Sequence, residues 1–454
     1  MRDAVVDANA DACAISEAVR EGRVTAAAVT EAALERVAGH GANAVVTVGA
    51  ADARASAAWV DRAVARGVDP GPLAGVPFTV KDTLATAGLR ATGGSLVLTH
   101  HIPAADAEFV ARLRSAGAVL VGKTNCPEFA LQPRTDNRIF GATQHPLDPT
   151  RSPGGSSGGC AAAVAGGLVP FSIGGDYGGS IRYPAACTGI YGLRPTYRSV
   201  PTSGHVPEPG AGTPRARFQI VGPLARTPRD IQLVFEVMAG RTPAPRPTPQ
   251  SRRVGVVRGG WSCLASTADA IDATASALAN AGYEIVDVDS EIFVTAAAVF
   301  GAWRATDDYA DLRALVAGRE SDLTEHIARL LAPPARTVPT VLADVRADVR
   351  AEAERVGRAV AAVLASTPVL VLPVARVGVL ALDATEIVID AKIESVDALQ
   401  ILDPARAVSL LGLPALAVPA ATDADGFPVG VQLVGSAAAE RELVAVAESL
   451  RTIA

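Results

Sequence analysis

The chain has 454 residues, a formal net charge of −6, 49% hydrophobic residues and only 4% aromatic ones. That length buries a large core and the apolar content excludes a disordered chain. The modest charge, with no long basic block, gives no footprint for nucleic acid, and nothing points to a membrane. With so few aromatics, the core must be built from Ala, Val and Leu, which suits helices packed closely on a sheet.

The N-terminal MRDAVVDANADACAISEAVREG carries acidic residues early and no long apolar run, so neither a signal peptide nor a membrane span is expected there. Cys13, Cys126, Cys160, Cys187 and Cys263 are odd in number and form no CxxC pair. A disulfide framework or zinc site is therefore not expected, no metal or cofactor is called for, and a cytoplasmic location is the default. Positive charge is nearly all arginine, with lysine only at Lys81, Lys123 and Lys392.

In chain order, residues 11 to 66 read as helices, with Ile15, Val19 and Val24, then Val29, Ala33 and Val37, at helical spacing. Thr25 suits an N-cap and Gly39 a stop. A turn at Asp69 to Pro72 leads into Leu73 to Asp82, a buried-strand pattern ending in Lys81-Asp82. A helix over 107–116 and a strand over 118–121 continue a βα alternation, which favours a mixed, mostly parallel sheet.

After Pro195 come a Pro/Gly-rich loop over 201–214 and an apolar segment over 218–225. The Pro-dense stretch 242–250 reads as a surface linker. Strands at 253–257 and 283–288 flank a helix over 266–281, and 290–366 is mostly helical with a break at Pro333 and Pro334. Apolar runs at 369–373, 415–419 and 429–434 return to strand patterns, and 440–450 is a closing amphipathic helix.

A nucleophilic hydrolase needs an activated hydroxyl or thiol, a base, and donors for the developing oxyanion. The histidines at 40, 100, 101, 145, 205 and 326 form no pattern that marks one as the base. There is no HExxH, and GGSSGG follows a Ser-Pro loop rather than the strand a nucleophile elbow requires. Lysine can serve as base because burial penalises its charged form, whereas arginine stays charged. In this arginine-using chain, Lys81 reads equally as that base or as an ion pair to Asp82, and Lys123 has a similar setting.

The Gly/Ser turns carry the stronger signal. Ser156 and Ser157 stand where a loop becomes the helix 158–165, near the positive end of its dipole. Ser180 follows Gly178 and Gly179, which let successive N–H groups turn into one concavity.

GGSSGG followed by GGDYGGSIRYPAA resembles the signature of the amidase signature family, with its Ser-cisSer-Lys triad. Gly75-Val-Pro-Phe-Thr-Val-Lys-Asp, Gly122-Lys-Thr-Asn-Cys-Pro-Glu-Phe, Gly192-Leu-Arg-Pro-Thr and Pro428-Val-Gly-Val-Gln-Leu-Val-Gly are similar to further segments of that family, over roughly residues 10 to 450. The resemblance implies a single large α/β domain, its twisted central sheet covered by helices on both faces. It divides the chain into an N-terminal helical segment (1–70), the signature core (71–235), a linker and mostly helical insertion or cap (236–366), and a C-terminal part of the same sheet with a closing helix (367–454).

Residue by residue, the resemblance makes Ser180 the nucleophile, Ser156 the bridging serine after a cis-type peptide from Gly155, and Lys81 the base. Ser156 lies 24 residues before Ser180, the family spacing. Backbone N–H groups of Tyr177, Gly178, Gly179 and Ser180 would form the oxyanion hole, with Asp176 and Arg182 supporting the loop. Gly175 replaces the usual threonine, His145 a more usual asparagine, and Leu131-Gln-Pro-Arg a more typical Met/Leu-Gly-Ser run. Leu131, Gln132, His145 and Tyr183 are the expected substrate pocket, although Tyr183 reads equally as a core tyrosine.

The expected function is hydrolysis of a small linear amide through an acyl-enzyme, by a monomer or homodimer whose only partner is that amide. The alternatives are a glutaminase-type subunit of a transfer-RNA amidotransferase, an acyltransferase, or a catalytically silent binding homologue. The departures at Gln132, His145 and Gly175 weigh against the amidotransferase subunit.

Overall fold

The computed structural model describes residues 7–332, 339–396 and 400–451. The break expected at Pro333 and Pro334 lies outside the described residues. In chain order the strands are β1 (Val45–Val48), β2 (Pro77–Lys81), β3 (Val119–Thr124), β4 (Phe171–Asp176), β5 (Tyr191–Arg194), β6 (Ile220–Ala225), β7 (Arg253–Val257), β8 (Glu284–Val288), β9 (Val369–Pro373), β10 (Glu386–Ile389), β11 (Lys392–Ser395), β12 (Ala415–Thr422) and β13 (Pro428–Gly435). Eleven of them form one sheet in the order β1-β3-β2-β4-β6-β5-β12-β13-β9-β7-β8, and β10 and β11 form a separate hairpin.

The sheet is mixed, as expected. β3, β2 and β4 run parallel, as do β9, β7 and β8. Antiparallel strands β6, β5, β12 and β13 join these two blocks. Strands β2, β3, β4, β6 and β9 are buried at every residue, which is why their sequences run apolar without alternation.

Segment 1–70 is not helical throughout, because β1 pairs antiparallel with β3 at the sheet edge. Val45–Val48 is four residues long and only half buried, so it leaves little periodicity to read. Segment 236–366 likewise supplies β7 and β8 to the sheet in addition to its helices. Thr25 caps the helix Ala26–Gly39 by accepting from Ala28 N–H, as its sequence indicates.

Two features place the site. The helix Gly158–Ala165, buried from Gly158 to Val164, packs across β2 and β4. Its small residues allow that approach: a Cβ on Gly159 would lie 2.5 Å from the backbone of Asn125. Separately, the helices Glu291–Arg304 and Asp403–Leu411 pack together and bring Phe300 against Tyr177, with ring centroids 5.4 Å apart.

Phe78 and Phe171 stack at 5.2 Å where β2 meets β4, both fully buried. Phe78→Ala is expected to cost about 3–5 kcal/mol, read as a lowered denaturant midpoint. Trp59→Ala, at a side chain 49% exposed, should change stability by no more than about 0.5 kcal/mol.

Candidate active site

Lys81 ends β2, where the strand delivers its side chain into the core at 1% exposure. Its Nζ donates to Ser156 Oγ at 2.6 Å and to Ser157 Oγ at 3.0 Å. The ion pair to Asp82 does not form, because Asp82 turns away to accept from the backbone and hydroxyl of Thr92. Burial outweighs the weak pull of distant acids and pushes the Lys81 amine below its usual range. Lys123, also buried, instead donates to the Leu84 carbonyl and has Asp82 as its main counter-charge.

The peptide Gly155–Ser156 is cis. A Cβ on Gly155 would lie 2.7 Å from the Arg134 backbone, so this Gly/Ser run is fixed by close packing and is not a flexible linker. Ser157, placed with Ser156 at the helix start but given no role by the sequence, is a hub: its hydroxyl donates to the Gly175 carbonyl at 3.1 Å, and its N–H donates to the Ser180 carbonyl at 3.1 Å. One residue thus links the lysine, the end of β4 and the nucleophile turn. The second serine of GGSSGG was the available signal.

The turn from Tyr177 to Ser180 leaves β4 directly. Asp176 is fully buried and accepts from the N–H groups of Gly179 (2.9 Å) and Ile181 (3.1 Å). Arg182 donates to both of its oxygens and Arg194 to one. Burial alone would raise its carboxyl, but the two guanidiniums outweigh burial and hold it well below the usual carboxylate range. Arg194, in the Gly-Leu-Arg-Pro segment, belongs to this support as much as Arg182.

The oxyanion donors are narrower than expected. The Gly179 N–H is taken by Asp176, because Gly179 adopts φ +119° to close the turn beneath the loop. Among the described residues the N–H groups of Tyr177, Gly178 and Ser180 have no protein partner. Ser180 is 9% exposed and opens on a cavity of about 390 Å³, lined also by Leu131, Gln132, Tyr177, Arg304 and Arg406. A second cavity, of about 500 Å³, reaches Lys81 and Ser156 past Leu131 and Tyr177.

Of the expected pocket residues, Leu131 and Gln132 line the Ser180 cavity, whereas His145 and Tyr183 line neither cavity. His145 bonds the Cys187 carbonyl at 2.9 Å and meets the edge of Phe427. The Tyr183 hydroxyl donates to the Gly378 carbonyl at 3.1 Å inside the core. Three residues after the nucleophile, Tyr183 is carried away from the cavity by the helix Arg182–Thr188.

Gly175 leaves space where a threonine side chain would stand: a Cβ there would have His205 Cε1 among its nearest atoms, at 3.8 Å. His205 is buried, bonds Gln219 through Nδ1 at 2.8 Å, and is kept neutral, its pKa pushed down to about 3 by burial and then by Lys81.

The Amidase family pattern matches residues 28–444. The chain belongs to the amidase signature family. It is 42% identical over 252 residues to the A-subunit of the glutamyl-tRNA(Gln) amidotransferase of Roseiflexus sp. (strain RS-1), a match spanning 54% of this chain and 50% of that relative. To the protein of the same name from Synechococcus sp. (strain RCC307) it is 33% identical over 478 aligned positions, 95% of each chain. A solved structure described as an amidase superposes with TM-score 0.87 at 29% identity, covering 97% of this chain and 99% of that one.

These names overturn the expectation of a small amide as sole partner, with no nucleic acid and a monomer or homodimer. Both relatives are named as subunits of an enzyme of glutamyl-tRNA(Gln). Net charge averaged over one chain describes that chain's own surface and cannot exclude its place in an assembly. No helix among the described residues is long and apolar enough to cross a membrane.

Asp176→Asn removes the charge that two buried arginines share, at an expected cost of about 3–5 kcal/mol in urea unfolding. Because the folded pKa of Asp176 is depressed, its stabilisation is present above the usual value of 3.8 and declines as pH falls below it. Acid titration of wild type and D176N should therefore converge at low pH.

Proposed function

We propose that the chain cleaves the C–N bond of an amide through an acyl-enzyme on Ser180, with Ser156 as proton relay and Lys81 as base. The observation that carries this reading is a buried lysine amine that contacts two serine hydroxyls and has no carboxylate partner among the described residues. A neutral amine in that place accepts a proton from Ser156 while still donating to Ser157.

Ser156 then takes the Ser180 proton, and the Ser180 oxygen bonds to the amide carbon. The carbonyl oxygen becomes an oxyanion facing the free N–H groups of Tyr177, Gly178 and Ser180. On collapse the C–N bond breaks and Ser156 delivers its proton to the leaving nitrogen. Water, deprotonated along the same relay, attacks the ester carbon and releases the acid and Ser180. Asp176, held by Arg182 and Arg194, acts on the turn through the Gly179 and Ile181 N–H groups and not on the substrate.

A second reading uses the same chemistry inside an amidotransferase, where the released nitrogen passes to an acceptor. The 95% mutual coverage with the Synechococcus amidotransferase protein favours it. Glutamine hydrolysis that stays silent until companion subunits and a glutamyl-tRNA are added would support this reading. Free ammonia release by the chain alone supports the first.

A fluorophosphonate probe should label Ser180, and Ser180→Ala should abolish labelling; an unlabelled wild type would sink the acyl-enzyme. Lys81→Arg fixes a positive charge there and supplies no base, and should lower kcat by about 10²–10⁴-fold. In wild type, kcat/KM should rise with pH as Lys81 loses its proton, with the inflection below the ordinary lysine value of 10.5.

A further inference from the structure

The steps of acyl transfer leave one buried polar group near Lys81 unused. His205 lies in the loop over 201–214, which is pinned to the segment that follows Lys81. The Val206 N–H donates to the Thr83 carbonyl and the Ala85 N–H to the Gly204 carbonyl, both at 2.8 Å. Between these bonds His205 is 4% exposed, and its Nδ1 meets the Gln219 side-chain nitrogen at 2.8 Å. An amide nitrogen only donates, so Nδ1 accepts and the proton of the neutral ring sits on Nε2. Burial and then Lys81 keep the ring neutral, and Lys81 is the charged group that it senses.

That Nε2 finds no hydrogen-bond partner among the described residues, and a buried donor left unfilled is costly. The ring borders open space. Gly175 has no left-handed φ, and a Cβ built on it would make only ordinary contacts, with His205 Cε1 and the Ile220 carbonyl oxygen at 3.8 Å each. At the neighbouring Gly174, by contrast, a Cβ would stand 2.8 Å from Ser157 Oγ. Neither backbone nor packing therefore demands glycine at 175, and Gly175 lines the cavity that reaches Lys81 and Ser156. Nε2 is bonded to Cε1 and so lies at the edge of this space. The Lys81 amine has three positions around its nitrogen beyond its own chain, and Ser156 and Ser157 occupy two.

Resting on the acyl-enzyme reading, we propose that His205 is a positioning residue for Lys81, its Nε2–H holding a water beside Gly175 that fills the third position on the Lys81 amine. The water stands where the hydroxyl of the more usual threonine would be. It accepts from the imidazole and from the amine, and it donates to the Ile220 carbonyl. A donor, and not an acceptor, thus faces Lys81 across the water. The ammonium gains no counter-charge, while the amine keeps its lone pair for the Ser156 proton. The other ionisable groups that Lys81 senses are the Cys126 and Cys160 thiols, both held protonated by burial, and Asp176, which Arg182 and Arg194 engage.

The test follows fluorophosphonate labelling of Ser180 against pH and needs no knowledge of the substrate. His205→Val removes the donor and admits bulk water to the amine, so the labelling inflection should rise by about one pH unit, with labelling about tenfold slower below it. His205→Gln keeps an N–H donor and should stay nearer to wild type. Gly175→Thr added to H205V supplies a hydroxyl from the opposite side and should bring the inflection back. An H205V inflection equal to that of wild type, or no return in the G175T/H205V double variant, overturns the assignment while leaving the acyl-enzyme intact. Absence of Ser180 labelling in wild type overturns both.

A second measurement rests on wild type and decides if H205V does not fold. In the imidazole nitrogen NMR spectrum, His205, identified by the signals lost in H205Q, should be the neutral Nε2–H tautomer. Its signals should shift across the same inflection as Ser180 labelling, because the imidazole and the amine share one water. An Nδ1–H tautomer, or His205 signals unmoved across that inflection, rejects the role.

Discussion

The Asp176 carboxylate is the interaction on which the site depends. It is fully buried, and its two oxygens hold the nucleophile turn through the Gly179 and Ile181 N–H groups. Arg182 extends the same cluster to the Ala405 carbonyl, Ser409 and Gln432, and Arg194 extends it to the Phe218 carbonyl. Parts of the chain more than 200 residues apart in sequence therefore meet at one carboxylate. Such a cluster is tolerated in the core because nearly every charge-bearing atom finds a partner, and it sets Ser180 on a rigid base.

Lys81 follows the opposite principle. Where Asp176 is over-supplied with cations, the Lys81 amine meets only hydroxyls, so desolvation acts on it with no counter-charge in contact. Lys123 shows how specific this is. It sits on the neighbouring strand, equally buried, yet its partner is a backbone carbonyl and its main electrostatic neighbour is Asp82. A lysine facing a carbonyl has no proton to collect, whereas one facing Ser156 does.

Much of this was legible in the sequence. Buried strands such as β7 and β9 and the helix Gly158–Ala165 fall where apolar runs end at turn residues. The Gly/Ser turns and Lys81 come together as the family resemblance implies. What escaped were features set by contacts across the fold. β1 is a short edge strand whose burial gives no alternation, and the hairpin β10–β11 is largely exposed. Tyr183, which the sequence left equally as a pocket or a core tyrosine, lies in the core, because one helical turn after Ser180 rotates it there. Arg304 and Arg406 lie far from any motif, and only the packing of two helices shows that they face the nucleophile.

That separation divides the site's chemistry. The reacting groups lie on β2, the loop before the helix Gly158–Ala165, and the turn after β4, all within residues 81–180. Much of the opposing wall comes from residues 304, 402 and 406, on helices that pack against Tyr177 through Phe300 and share no backbone with the triad. The helix Asp403–Leu411 serves both sides, since Arg406 lines the cavity while Ala405 and Ser409 hold Arg182 beneath the Ser180 turn. Family membership thus speaks for the reaction class, while the side chains of the opposing wall give the Ser180 cavity its shape.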